Sequence, residues 1–153
     1  MMSVQKIGDE VILAEAIRLV KEGVSVTFPV KGNSMLPFIV GGRDSVILEK
    51  PSALQWGDVV LALVESDNKQ GKHYVIHRIL GLDGSDVTLM GDGNLLLRER
   101  CKRSDVCAKV LQVVKPNGKK ISFNSFWNRF AAKLWFFLLP FRRYLLWIFN
   151  KVK

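Results

Sequence analysis

The spacing of apolar residues divides the chain into a helical beginning, a long β-rich middle and a helical end. From residue 9 to residue 22, apolar side chains recur at helical spacing with charged ones opposite, which predicts an amphipathic helix that stops at Gly23. From residue 24 onward the period shortens toward two, and Gly, Asp, Asn and Pro separate the apolar runs. The predicted strands are 24–30, 44–49, 59–65, 73–80, 86–90 and 106–114.

These strands predict one mainly β domain. Residues 46–48 and 59–64 alternate poorly between apolar and polar, which is typical of strands buried on both faces or closed into a barrel. Asp44 and Asp58 begin strands, where turn capping is the expected role. The length of 153 residues suits a single domain. We therefore expect an α+β fold, an irregular β-barrel over residues 24–121 with the helix of residues 1–23 packed on it.

The last segment, residues 122–153, is called the tail here and is aromatic and basic. Its two predicted helices, 125–139 and 141–153, are separated by Pro140. Residues 119–153 hold eight Lys or Arg and no Asp or Glu. The longest uncharged runs have eight and seven residues, against the ~20 of a spanning helix. This pattern is typical of amphipathic helices in the interface of an anionic bilayer, and packing on the barrel or on a second subunit is the alternative.

Charge and cysteine content argue against several classes of function. Outside residues 119–153 the formal balance is only +1 of the total +9, so the body has no pattern that indicates nucleic-acid binding. The first 20 residues carry five charged side chains, and neither a secretory signal nor an N-terminal membrane anchor is expected. Cys101 and Cys107 lack the spacing of a zinc ribbon or a redox pair, so two free thiols are expected.

A short irregular segment, residues 31–37, carries the candidate nucleophile. Ser34 follows Gly32 and Asn33, which tolerate left-handed backbone, and precedes Pro37, which prevents a helix. A serine on such a turn can project its hydroxyl while neighbouring N–H groups remain free to bind an oxyanion. From these residues alone, the segment predicts either a nucleophilic serine or an ordinary polar turn.

Further motifs follow Ser34 in a definite order. They are Gly42-Arg43-Asp44, Trp56-Gly57-Asp58-Val59-Val60, His77-Arg78-Ile79 and Gly91-Asp92-Gly93-Asn94. With the serine segment, this order resembles the signal peptidase I family of membrane-bound serine proteases and the related self-cleaving repressor proteases, over residues 24–94. The resemblance implies a barrel of that type and a serine endopeptidase activity. The chain departs from the family pattern in one respect, because no N-terminal anchor is expected from the charged residues 1–20.

The candidate general base is a histidine on a predicted strand. Strand alternation places His73 and His77 on the same face of residues 73–80. A serine hydroxyl is a weak nucleophile until a neighbouring base takes its proton. The resemblance implies that His77 has this role, at a position where most bacterial members have lysine. His73 is the competing base.

The resemblance also implies residues that assist the Ser–His pair. Asp92, in the Gly-Asp box, is expected to orient His77, with a purely structural turn as the alternative and Glu99 as a more distant substitute. Asn33 and Met35, on either side of the serine, are expected to help bind the oxyanion or the substrate.

The sequence therefore predicts a serine endopeptidase that cleaves a peptide or leader segment near a membrane. Its expected partners are a peptide or protein substrate and a membrane surface, with no nucleic acid, metal or cofactor. We expect peripheral association with a membrane, the bacterial inner membrane being favoured. The alternative is a non-catalytic peptide-binding or membrane-associated module on the same fold. A self-cleaving repressor is disfavoured because no helix-turn-helix is found.

Overall fold

The structure is a computed structural model that describes residues 4–65, 71–93, 98–123 and 126–152. In these ranges the helices are α1 Val4–Lys21, α2 Phe126–Phe137 and α3 Arg142–Val152. The strands are β1 Val26–Pro29, β2 Ser45–Glu49, β3 Val59–Glu65, β4 Lys72–Asp83, β5 Asp86–Met90, β6 Glu99–Lys102, β7 Val106–Val114 and β8 Lys120–Ser122. Single 3-10 turns lie at Arg103–Asp105 and Leu139–Phe141.

The strands form one antiparallel sheet that closes on itself at one side. Their order is β1-β2-β7-β3-β4-β5-β6, and β8 pairs with β7. A further pairing of β6 with β3, at Glu65 and Arg100, closes β3, β4, β5 and β6 into a four-stranded barrel. The prediction of a mainly β fold with a barrel and flanking helices is confirmed.

Two apolar clusters explain why β3 reads as a nearly continuous apolar run. Val60, Ala62 and Val64 point into the small barrel, where they pack with side chains of β4, β5 and β6. Val59 and Leu61, on the opposite face, pack in a second cluster with β2, β7 and α1. Both faces of β3 are therefore buried, so the polar half of the usual strand alternation is missing.

Helix α1 packs on the face of the sheet that carries the second cluster. Its Ile17 and Val20 are buried in the second cluster, and each such side chain stabilises the fold by about 1.5–3 kcal/mol relative to an exposed one. The helix begins at Val4, five residues before the predicted start, and ends at Lys21 just ahead of Gly23 with φ +89°. A positive φ suits glycine as the residue that follows a helix.

Two strands were not predicted. β6 reads Glu-Arg-Cys-Lys and β8 reads Lys-Ile-Ser, so neither contains an apolar run long enough to indicate a strand. In β6 the buried positions are Glu99 and Cys101, whereas Arg100 and Lys102 are exposed. A strand with a charged residue on its inner face does not show the apolar alternation on which sequence patterns depend.

Part of the predicted Gly-Asp box, Asn94, lies outside the described residues, as does the Ser125 start of the first tail helix.

The tail folds into the two helices predicted, separated at Pro140. Helix α2 runs to Phe137 and α3 starts at Arg142, with the 3-10 turn between them. None of the helices in the described ranges is both long and apolar enough to cross a bilayer.

Candidate functional site

Ser34 lies on an irregular turn between β1 and β2, as predicted. Gly32 has φ +79°, the left-handed conformation that glycine adopts without strain. The two ends of the loop meet, because the Gly42 N–H donates to the Val30 carbonyl at 2.8 Å. A Cβ atom on Gly41 would lie 1.8 Å from the Gly32 carbonyl oxygen, so this close approach requires glycine. The segment from residue 32 to residue 41 is therefore a closed loop, called the serine loop below.

The Gly-Asp box holds the serine loop from the other side. The Gly93 N–H donates a 2.8 Å hydrogen bond to the Ser34 carbonyl. A Cβ atom on Gly93 would lie 2.6 Å from the Asn33 carbonyl oxygen, so no larger residue fits at this contact without a shift of the backbone. Two motifs that are nearly 60 residues apart in the sequence thus meet at the serine.

His77 and Glu99 meet at one end of the small barrel. Their positions follow from strand register: β4 pairs with β5 from Arg78 onward, and Glu99 opposes Leu89 of the same β5. His77 Nδ1 lies 2.7 Å from Glu99 Oε2, and the two side chains are only 5% and 4% exposed. With the Nδ1 proton donated to the carboxylate, Nε2 is left as the basic nitrogen of a neutral imidazole.

Ser34, His77 and Glu99 line one cavity of about 520 Å³, between β4, β1 and the first turns of α1. Apolar side chains form much of its wall, among them Phe28 and Ile76. No direct hydrogen bond joins Ser34 to His77 in the part of the chain that the structure describes. Catalytic hydrogen bonds are often long or unformed before substrate binds, so the lack of this bond does not exclude proton transfer from Ser34 to His77 in a substrate complex.

His73, the competing base, lines the same cavity. Its Nε2 is 4.0 Å from Glu99 Oε1, a longer approach than that of His77. Its Nδ1 is buried and has no hydrogen-bond partner among the described residues. Glu99 therefore lies between two histidines but makes its short hydrogen bond to His77 alone.

Among the residues that the structure describes, Asp92 makes no hydrogen bond to His77. Both of its carboxylate oxygens accept hydrogen bonds from Arg78, at 2.8 Å from Nε and 2.6 Å from Nη2, and both side chains are buried. Arg78 Nη1 also donates to the Gly57 carbonyl, and the guanidinium lies over the rings of Phe38 and Phe123. The structure thus corrects the expected placement: the acceptor beside His77 is Glu99, and Asp92 belongs to a bidentate ion pair.

Asn33 and Met35 differ in their surroundings. Asn33 is exposed and does not line the cavity, whereas Met35 is 2% exposed, lines the cavity and accepts the Asp92 N–H at its sulfur. The backbone N–H groups of Ser34 and Met35 donate to no acceptor within the described ranges. Such unpaired N–H groups beside a serine are the usual donors of an oxyanion hole.

The two thiols are poor alternatives as nucleophiles. Burial raises the pKa of the Cys101 thiol to about 11, and burial also raises the pKa of Cys107. The reactive form of cysteine is the thiolate, which is scarce at neutral pH when the pKa is raised. Over the residues that the structure describes, no group of three or more His, Cys, Asp or Glu side chains is arranged to hold a metal ion.

No family model, curated protein or solved structure matches this chain. The residues of the cavity and the order of the motifs therefore remain as the basis for assigning a function.

Glu99, which the sequence indicated only as a distant substitute for Asp92, is the carboxylate beside His77. The short strand β6 places it on the inner face, two residues before Cys101, which packs inside the barrel. The sequence signal for this strand is that Glu99 and Cys101 alternate with the basic residues Arg100 and Lys102. It is weak, since four residues of mixed polarity also suit a surface loop.

Asp44 and Asp58 have the capping roles predicted for them. Asp58 accepts the Gln55 N–H at 2.8 Å, and Asp44 accepts the Val40 N–H at 2.8 Å at the end of the serine loop. Asp44 also accepts a 2.7 Å hydrogen bond from Lys115. Burial alone raises the pKa of the Asp44 carboxyl, but the hydrogen bonds from Lys115, the Val40 N–H and Arg43, together with the charge of Lys115, outweigh it. The pKa is therefore lower than the ordinary value.

We expect Asp44→Asn to lower the free energy of unfolding at neutral pH by about 2–3 kcal/mol, because it leaves Lys115 without its counter-ion. An amide oxygen still suits the Val40 N–H, so the variant tests the charge. A carboxyl whose folded pKa is lowered contributes stability above its unfolded pKa and loses it as pH falls through the folded pKa. The difference between wild type and variant should therefore shrink below about pH 3.8 in urea unfolding.

The matched control for this experiment is Asp83→Asn, at an exposed position of β4. Removing an exposed carboxylate should change the free energy of unfolding by less than about 0.5 kcal/mol at either pH. An Asp44→Asn penalty that stays constant down to pH 3 would contradict the charge-based account.

Proposed function

We propose that this protein is a serine endopeptidase in which Ser34 is the nucleophile, His77 the general base and Glu99 the group that orients the base. The observation that carries the proposal is the single cavity lined by all three residues, with His77 Nδ1 hydrogen-bonded to Glu99. A turn serine, a buried histidine and a buried carboxylate are the groups that acyl transfer to a hydroxyl requires.

In the proposed mechanism, Ser34 Oγ attacks the carbonyl carbon of the scissile peptide bond and its proton passes to His77 Nε2. Glu99 keeps Nδ1 protonated and stabilises the imidazolium that forms. His77 then gives the proton to the leaving amine, which departs as the C–N bond breaks and an acyl-enzyme remains. Water hydrolyses the ester with His77 again as base, which releases the acid and restores Ser34.

The backbone N–H groups of Ser34 and Met35 would donate hydrogen bonds to the negatively charged oxygen of the tetrahedral intermediate. A rigid loop is needed for this, because donors that must rearrange lose part of their effect. Gly93 holds the serine loop near its start and Asp44 holds it at its end. The apolar wall with Phe28 and Ile76 favours small or apolar substrate side chains next to the scissile bond.

The motif order, which resembles signal peptidase I, supports the cleavage of a peptide or leader segment. In this proposal Glu99 replaces the aspartate that is the third member in Ser–His relatives. Both residues provide a carboxylate, and the additional methylene of glutamate changes only its reach.

Labelling with a serine-acylating probe, such as a fluorophosphonate, tests the proposal directly. We expect one covalent adduct, mapped by mass spectrometry to Ser34 and absent from Ser34→Ala. Ser52→Ala, which removes an exposed loop serine, is the matched control and should label like wild type. Labelling of several serines in proportion to their exposure would overturn the proposal. A protein that is never acylated, yet binds peptides equally with and without the Ser34 hydroxyl, would be a peptide-binding module.

A further inference from the structure

The tail helices pack on the body through one side only. Trp135 donates from Nε1 to the Asp92 carbonyl at 2.8 Å and meets the Phe38 ring edge-on. Leu146 is buried against Leu36 and Val40 of the serine loop. These contacts settle which face of each helix points inward, and therefore which side chains are left facing outward.

Each tail helix leaves an apolar stripe exposed on its outer side. On α2 the stripe recurs at helical spacing as Phe130, Leu134 and Phe137, of which Phe137 is 78% exposed. On α3 and the turn before it, the exposed apolar residues are Phe141, Tyr144, Leu145, Trp147, Ile148 and Val152. We call these nine residues the outer face. Large apolar side chains concentrated in this way mark an interaction surface.

The charged side chains of the tail are all positive. Lys133, Arg143 and Lys151 are exposed on the same helices, and residues 119–153 contain no Asp or Glu. Lys151 Nζ lies 4.0 Å from the centre of the Trp147 ring, so the ammonium group and the aromatic ring form a cation–π contact. The partner must therefore accept aromatic and aliphatic side chains and carry negative charge beside them.

A second copy of this chain does not fit that description. Two outer faces would bring like charges together. Elsewhere in the described residues the exposed large apolar side chains are only Val11, Ile12, Val24 and Tyr74, so the described part of the body offers no apolar surface of comparable size. An anionic bilayer offers both an apolar layer and negative headgroups, at the depth where aromatic side chains prefer to lie.

We propose that the outer face of the tail is a binding site for anionic phospholipid, on which the protein docks peripherally. The helices lie in the headgroup region with the nine outer-face residues toward the acyl chains. Lys133, Arg143 and Lys151 are directed toward the headgroups. This docking does not depend on peptidase activity, and the experiment below measures only the binding of the protein to vesicles.

The test is flotation of the full chain with vesicles of phosphatidylglycerol and phosphatidylcholine, compared with vesicles of pure phosphatidylcholine. We expect stronger binding to the anionic vesicles. Raising salt from ~0.1 M to ~1 M shortens the screening length from ~10 Å to ~3 Å and should weaken the binding without abolishing it. Complete release by salt would mean that the apolar side chains remain in water, which would overturn the proposed burial.

Substitutions on the outer face separate the apolar part from the charged part. Phe137→Asp with Trp147→Asp should weaken binding at least about tenfold per side chain, since each removes a buried aromatic. Val11→Asp with Ile12→Asp, at exposed apolar positions of α1, is the matched control and should bind like wild type. Equal loss in both pairs would overturn the assignment of the face.

For the charges, Lys133→Gln with Arg143→Gln should weaken binding about fivefold per charge removed. Lys50→Gln with Lys72→Gln removes two exposed charges outside the tail and should have no effect. Circular dichroism and thermal unfolding verify that every variant is folded. Absence of vesicle binding by folded wild type would overturn the proposal. A concentration-dependent dimer that the outer-face variants abolish would show that the tail binds a second copy of the chain instead of lipid.

Discussion

Ser34→Ala should abolish peptide cleavage while the protein stays folded. Replacing the nucleophile of a serine peptidase reduces kcat by on the order of 10⁴–10⁶-fold, since only water remains to attack the carbonyl. Ser34 is partly exposed and its hydroxyl makes no hydrogen bond within the described ranges, so the free energy of unfolding should change by less than about 0.5 kcal/mol. The measurement is cleavage of a peptide library by mass spectrometry, with urea unfolding of the same samples.

The matched variant for this experiment is again Ser52→Ala, which should cleave at the wild-type rate. Cleavage by folded Ser34→Ala at a wild-type rate would exclude Ser34 as the nucleophile. A loss of cleavage together with a loss of stability would instead show that the serine loop had been disrupted. The unfolding measurement separates these two explanations.

His77→Ala should reduce kcat by on the order of 10²–10⁴-fold, the range expected when a general base is removed. His73→Ala should reduce it far less, since His73 is 4.0 Å from Glu99 whereas His77 is 2.7 Å from it. A larger loss in His73→Ala than in His77→Ala would reverse the assignment of the base while retaining Ser34 as the nucleophile.

Substitutions of Glu99 and Asp92 should have different effects, the first on catalysis and the second on stability. Glu99→Gln keeps the size of the side chain but removes the charge that stabilises the imidazolium, so kcat should fall with KM little changed.

Asp92→Asn breaks the ion pair with Arg78 and should lower the free energy of unfolding, by about 3–5 kcal/mol for a buried pair. If Asp92→Asn is as stable as wild type yet inactive, Asp92 acts in catalysis and the proposed role of Glu99 fails.

Several features were predictable because their signals are local. A glycine, an asparagine and a proline within a few residues predict an irregular turn at Ser34, whatever the rest of the chain does. The strands β2, β3, β5 and β7 were predicted within one residue of their observed bounds, since apolar runs between turn residues are read directly from the sequence. Pro140 likewise predicted the break between the tail helices.

The partner of His77 could not be predicted in this way. Asp92 lies two residues after the end of β5 and is a carboxylate, as the orienting group of a histidine base should be. The direction of its side chain, however, depends on the register of β4 with β5 and on the closure of the barrel by β6. That closure brings Glu99 to His77 and turns Asp92 toward Arg78. Arg78 was not predicted as part of this arrangement, because a basic residue within a strand gives no indication that it is buried.

By itself the sequence determined a mainly β domain, a turn serine, a histidine on a strand, and an aromatic, basic helical tail. These follow from backbone preferences and from the period of apolar residues, which act over a few positions along the chain. Only the tertiary structure decided which carboxylate contacts the histidine and which face of each tail helix is buried. Both depend on contacts between residues far apart in sequence, such as His77 with Glu99 and Trp135 with Asp92, and no local pattern specifies these.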